Sequence, residues 1–302
     1  MNPIAHAAGA FGGLIIAALT VSFVDRRLGG RSSSLRQLAS IVRQEDLTPA
    51  HADRFLFRSA PILALVAVSL AALFVPIGPG LIGLEAKTGL FFFVVLLSPF
   101  VVAMMNAGWG ANGKQGLFGA FRAAAHLVSY EVPLGFAAIG PVMSAQSLSM
   151  TRIVEAQSSL WYVVWQPLGL VLFVVASLFA SFRHPFDLAQ ADTELGGGVL
   201  AEYSGRRLLL FRLALDGLFA LLMAMAAVLF LGGWHGPLLP GPVWMIVKTI
   251  CLAALALAIA RRFPRFRHDQ MLAFSWKVLL PASLLNVAVV GVLALLLPAR
   301  LQ

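Results

Sequence analysis

The sequence predicts an all-α integral membrane protein of about eight transmembrane helices, with both termini on the periplasmic side of a bacterial inner (plasma) membrane. Three observations lead there. Of the 302 residues, 60% are hydrophobic and only 12% charged, and the mean hydropathy is +0.88, whereas a soluble domain is roughly 45–50% apolar. Apolar runs of the roughly 20 residues needed to cross about 30 Å of hydrocarbon recur along the whole chain. Lysine and arginine gather in alternate connections, as expected where positive residues are retained in cytoplasmic loops.

In order, the runs fall at residues 5–24, 59–77, 88–108, 121–143, 160–182, 208–231, 242–260 and 276–298. The first has no basic residue before it and no small-residue cleavage signature after it, so it reads as a retained helix rather than a signal peptide. Residues 25–58 carry Arg26, Arg27, Arg31, Arg36, Arg43, Arg54 and Arg58, and form a cytoplasmic amphipathic loop. Arg261, Arg262, Arg265 and Arg267 fill the last connection, and Lys114, Arg183, Arg206 and Arg207 fall on the same side if the helices alternate. The opposite connections hold little beyond Lys87 and Arg152. The net charge of +9 therefore records loop bias and gives no reason to propose nucleic-acid binding. Residues 1–302 form one membrane domain. The single cysteine, Cys251, lies in an apolar run, which excludes a disulfide framework or a cysteine metal site and marks it as a small packing residue.

Function is expected where ionisable groups persist despite the cost of desolvation. Glu131 is the clearest case: it lies inside an apolar run, Pro133 follows two residues later, and no basic residue stands four positions away on either side. Asp216 follows Arg212 by four residues, which puts the two on one helix face, and Lys248 is near enough to a span end to snorkel. The connection 183–207 is an acidic cytoplasmic loop in which Asp187, Asp192, Glu194 and Glu202 occupy sixteen residues. Crowded carboxylates raise one another's pKa, and burial adds to that, so such a group can exchange protons near neutral pH. A solvated acidic loop is the plainer alternative. Phe182, Phe186, Leu188 and Leu195, interleaved with the acids, favour a loop folded back against the membrane.

The segment Pro185-Phe186-Asp187, its spaced acids and Glu202-Tyr203-Ser204-Gly205 resemble the third cytoplasmic loop of the complex I membrane subunit called subunit 1 or H. Further matches follow in order between Asp25 and Pro281. They include Glu45-Asp46-Leu47-Thr48-Pro49, Gly108-Trp109, Arg122-Ala123-Ala124-Ala125 with Ser129-Tyr130-Glu131-Val132, Gly232-Gly233-Trp234, Lys248-Thr249, Pro264-Arg265 with Asp269-Gln270, and Leu280-Pro281. The resemblance implies an eight-helix subunit of a proton-translocating NADH:quinone oxidoreductase, placed at the junction of the membrane and hydrophilic arms. It implies a proton path through Glu131, Asp187, Asp192, Glu194, Glu202 and Asp216, and a quinone-tunnel region near Asp25, Arg26, Arg265, Arg267 and Asp269. Quinone would be the substrate; flavin, nucleotide and iron-sulfur cluster would reside in other chains, and this chain alone would catalyse nothing. Its partners would be other membrane-arm subunits and the quinone-proximal hydrophilic subunits, within the lipid bilayer.

The departures fall unevenly. The family's Gly-Pro-rich stretch after the first helix is missing where Asp25-Arg26-Arg27-Leu28 runs into Gly29-Gly30-Arg31, and an aspartate position falls on Gln37. Two loop glutamates become Gln190 and Asp192, a glutamate position falls on Leu215 beside Asp216, and an arginine position falls on Ala260 beside Arg261. The quinone-entry half of the pattern is depleted and the proton-relay half largely kept. That leaves a second class open, the equivalent subunit of a membrane-bound hydrogenase, formate hydrogenlyase or ferredoxin-linked complex without a normal quinone site. A third, a stand-alone secondary transporter, finds no internal repeat or paired interrupted helices in support.

Overall fold

The computed structural model describes residues 20, 40–41, 43–190, 192–237 and 240–296. All but Thr20 of the expected first span, together with Asp25, Arg26 and Gln37, lies outside the described residues. The described chain is helical throughout, with no strand among the described residues. Six helical segments are long and apolar enough to cross a membrane. With one shorter apolar helix between them, they are α1 (Arg54–Ala72), α2 (Gly89–Gly110), α3 (Lys114–Ala145), α4 (Pro167–Ala180), α5 (Gly205–Phe230), α6 (Gly241–Ala260) and α7 (His268–Leu296). The chain is a multi-pass membrane protein.

Local chemistry sets the ends and interruptions. Asp53 caps α1, its carboxylate accepting the N–H groups of Phe55 at 2.9 Å and Leu56 at 3.2 Å, which are orphan donors of the first turn. The single helix expected at 88–108 is instead two, Gly89–Val95 and Ser98–Gly110. Pro99 has no N–H to give the Val95 carbonyl, so the α-helical ladder fails at Leu96 and Leu97. The fifth expected span, 160–182, shortens to the 14 residues of α4 because Pro167 opens the helix and a 3₁₀ turn, Tyr162–Val164, precedes it. The eighth begins earlier than expected, at His268, and contains a π-helical turn, Ser275–Leu279. Cys251 is exposed on α6, so it faces the surroundings of the bundle and does not pack inside it.

Two helices organise the packing. α3, at 32 residues, lies against α2, α4 and α7. α5 is the most buried and lies against α1, α4 and α6. Small residues permit the close approaches: a Cβ on Gly110 would meet the backbone N of Phe57 at 2.7 Å, and one on Gly108 would meet the Gly116 carbonyl at 2.2 Å. In lipid, where apolar surface provides little drive for helix association, such small-residue contacts supply the packing.

Candidate functional site

Glu131 stands midway along α3, in a turn weakened by its own sequence. Pro133 cannot donate to the carbonyl of Ser129, four residues back, so that carbonyl is left without its ladder partner. The Ser275 hydroxyl, from the π turn of α7, donates to it. The Ser129 hydroxyl turns back to the Ala125 carbonyl at 2.7 Å. Glu131 itself is half-buried, and Ser98 donates to its Oε1 at 2.7 Å from the point where α2 is broken. α2 and α7 thus both meet this turn of α3, Ser98 at the Glu131 carboxylate and Ser275 at the Ser129 carbonyl that the proline leaves open. No cation takes part in the contacts that define this turn.

The acidic loop is built the opposite way. It returns against α3 through the short helical turns Leu188–Gln190 and Gly198–Leu200. Phe186, Leu188, Ala189 and Val199 are buried there, and the Phe186 ring stacks on Phe179 at 3.7 Å and on Phe266 at 5.2 Å. The close approach requires Gly198, which has a φ of +53° and whose added Cβ would lie 2.1 Å from the Ala189 carbonyl. On that base the acids meet cations from other elements. Arg265 binds Asp187 at 2.5 Å. Arg122 on α3 binds Glu194 at 2.7 Å and the Leu188 carbonyl at 3.3 Å. Arg183 pairs with Asp216, each 14% exposed, so a cation thirty-three residues away in sequence meets that carboxylate. Arg207 reaches Asp46 at 3.2 Å and Thr48 at 2.9 Å. Tyr203, stacked on Phe57, donates to the Phe57 carbonyl at 3.0 Å, and burial pushes its phenol above the usual range.

The expected site residues therefore divide. Asp187, Glu194 and Asp216 lie in inter-element ion pairs; Glu202 is exposed; the Asp192 backbone begins a short helical turn, Asp192–Leu195, and its side chain lies outside the described residues. Arg265 joins the acidic loop, whereas Arg267 and Asp269 are exposed. Arg122 and Glu131 are nine residues apart on α3, about 13 Å along the axis, so the helix that binds Glu194 of the loop through Arg122 also carries Glu131. Between them is His126, fully buried and stacked on Phe182 at 4.9 Å. Ser98, Ser275 and His126 carry no mark of their role in the sequence, and Arg122 stands in a family-like motif that does not disclose its partner. Only the Ser129-to-Pro133 spacing signals that a carbonyl there needs an outside donor.

Lys248 lies towards the other end of the bundle and is 6% exposed. Its ammonium donates to the carbonyls of Leu231 at 2.6 Å, Gly233 at 2.9 Å and His235 at 2.6 Å, and stands 4.1 Å from the centre of the Trp161 ring. It closes the C-terminal end of α5 instead of snorkelling outward. Gly232, with a φ of +67°, makes the turn, and Gln157 fixes it by accepting the Gly232 N–H at 2.9 Å. Burial, reinforced by the Lys248 charge, holds His235 below its ordinary pKa. Among the described residues, no group of three or more His, Cys, Asp or Glu side chains could hold a metal ion.

The family model described as NADH dehydrogenase matches residues 19–291. The chain belongs to the complex I subunit 1/H family. Members of that family align with it nearly end to end. It is 37% identical to an H-type NADH-quinone oxidoreductase subunit of Rhizobium meliloti, over 92% of this chain and 93% of that one. It is 40% identical to the protein of the same name from Rhodopseudomonas palustris, over 92% of each, and 36% identical to the one from Syntrophobacter fumaroxidans, over 91% of this chain and 87% of that one. All of the described site residues, from Glu131 through the loop ion pairs to Arg265, lie within the stretch that the family model matches.

Proposed function

We propose that the chain is the membrane subunit of a proton-translocating NADH:quinone oxidoreductase, at the junction of its arms, with eight spans and both termini periplasmic in a bacterial inner membrane. Quinone is the substrate of the assembly, approaching through the region of Asp25, Arg26, Arg265, Arg267 and Asp269. Flavin, nucleotide and iron-sulfur clusters belong to companion subunits, and the isolated chain is not catalytic. The proton path runs through Asp187, Asp192, Glu194, Glu202, Asp216 and Glu131. The observation that carries the reading is the half-buried Glu131 carboxylate inside a spanning helix, met by the Ser98 hydroxyl. A carboxylate in hydrocarbon is costly unless it is hydrated, protonated or in use.

Quinone reduction consumes protons and creates charge near the membrane. Asp187 and Glu194, paired with Arg265 and Arg122, sit on opposite sides of the Leu188 turn and so respond together to such charge. A cation drawn from its carboxylate leaves that carboxylate ready to accept a proton, and α3 carries the change towards Glu131.

The test uses the assembled complex in sealed vesicles. Glu131→Gln removes the exchangeable proton while keeping the shape, so proton pumping falls on the order of tenfold or more. Undiminished pumping in an assembled, active complex would remove Glu131 from the path. The same preparation, supplied with NADH and quinone and then with reduced ferredoxin, formate or hydrogen, identifies the donor. Quinone-insensitive hydrogen evolution would overturn the respiratory assignment.

A further inference from the structure

α7 is the helix least buried by its neighbours, yet in its α-helical part, Leu280–Leu296, the polar side chains Ser283 and Asn286 both turn inward and are fully buried. Asn286 meets α3 and α4 where both carry glycine. A Cβ on Gly140 would lie 3.3 Å from Asn286 Nδ2, and one on Gly169 would lie 3.2 Å from it. Gln166, at the start of α4 and 1% exposed, reaches the same place: its Oε1 lies 2.7 Å from that Gly140 point. The amide nitrogen of Gln166 is already used, donating to Ser144 at 2.7 Å, while Ser144 donates to the Gly140 carbonyl at 3.0 Å.

Two complementary atoms are left over. Gln166 Oε1 is an acceptor and Asn286 Nδ2 a donor; both are buried and neither has a hydrogen-bond partner in the protein. Lying 2.7 Å and 3.3 Å from one point, they are no more than about 6 Å apart, yet they do not bond directly. Exchanging N and O in both amides leaves the two positions where they are, so amide orientation does not remove the mismatch. Buried polar atoms are rarely left unpaired, and a single water bridging two atoms at about 2.8–3.0 Å from each spans this separation.

We infer that α3, α4 and α7 enclose a one-water site, in which the water donates to Gln166 Oε1 and accepts from Asn286 Nδ2. Buried waters hold two to four polar partners. The water clasps the outermost helix to the bundle, independently of the proton path. Cryo-electron microscopy of the purified complex, at a resolution that shows ordered water, tests the site. The wild-type protein shows one peak within hydrogen-bond distance of both amides, and Asn286→Leu loses the peak and lowers the thermal midpoint. Gly140→Ala keeps both amides in the chain but sets a methyl 2.7 Å from Gln166 Oε1 and 3.3 Å from Asn286 Nδ2, crowding the space between them, so it loses the peak as well and serves if Asn286→Leu fails to assemble. A wild-type map with the amides bonded to each other or with no peak, or a peak that persists in either variant, overturns the inference.

Discussion

The acidic loop and the Lys248 end of the bundle both hold charge, and they hold it by different means. At the loop, acids and arginines pair across elements: Asp187 of the loop with Arg265, Glu194 of the loop with Arg122 of α3, and Asp216 of α5 with Arg183 of the loop. At the other end, one ammonium is satisfied by three backbone carbonyls and an aromatic face. A carboxylate can take up a proton when its cation moves; a carbonyl cannot. On the proposed function the loop is a set of exchangeable contacts, whereas the Lys248 cluster is a fixed cap. The Glu131 turn is a third arrangement, in which the Ser98 hydroxyl meets the acid and no ion pair is made to it among the described residues.

Breaking the cap should have the largest effect on stability. Lys248→Met leaves the carbonyls of Leu231, Gly233 and His235 without their donor in a buried place, at a cost of about 3 kcal/mol. The expected result is a lower thermal midpoint and poorer assembly, with the ratio of pumping to electron transfer unchanged in the complex that does assemble. A normal midpoint with a lowered ratio would place Lys248 among the exchangeable groups and erase the contrast.

Asp216→Asn comes next. It keeps the shape but leaves the mostly buried Arg183 beside a neutral amide, which costs about 2 kcal/mol once the partial exposure and the other contacts of Arg183 are allowed for. Here both readouts should move: the midpoint falls and pumping per electron falls with it. A purely structural loss, with pumping intact, would assign the pair to the fixed class.

Much of this contrast is legible in the chain and part of it is not. Hydropathy finds the spans because lipid imposes length and composition on each segment separately. Glu131 stands out because desolvation makes an acid in an apolar run costly wherever the run packs, and the loop acids stand out because four of them crowd sixteen residues. Partner choice has no such local mark. Asp216 has Arg212 one turn away in sequence, but the fold also brings Arg183, thirty-three residues distant, to the same carboxylate. Lys248 looks like a snorkelling cation until the turn at Gly232 brings three carbonyls over it. Ser98, Gln166 and Asn286 look like tolerated polar residues in apolar helices, and only tertiary packing gives them neighbours. The prolines are the signal that hydropathy passes over. Each withholds a donor from the carbonyl four residues back, and Pro133 does so for Ser129 beside Glu131.

That signal supplies a prediction. Ser275→Ala leaves the Ser129 carbonyl buried with neither a ladder donor nor a hydroxyl, at a cost of about 1–2 kcal/mol. If the π turn of α7 positions the Glu131 turn, pumping falls in Ser275→Ala and returns in Ser275→Thr, which restores the hydroxyl. Rescue of the midpoint without rescue of pumping would show that the clasp only holds α7 in place.

The smallest expected effect is the most informative about Glu131. Ser98 donates a single hydrogen bond to a half-buried acid, so Ser98→Ala costs about 1 kcal/mol and shifts the thermal midpoint little. Ser98 also stands where Pro99 interrupts α2, so its hydroxyl is held at a place where the helix ladder has already failed. The Ser98 hydroxyl brings no countercharge to the carboxylate, unlike an arginine. Removing that hydroxyl should therefore lower pumping by less than Glu131→Gln does, with the complex still assembled. Equal losses in the two variants would mean that Ser98 itself is an obligatory step between Glu131 and the rest of the path. No loss at all would mean that Glu131 finds its proton partner elsewhere in the turn, and the exchange would then be assigned to the Ser129 and Ser275 side of α3.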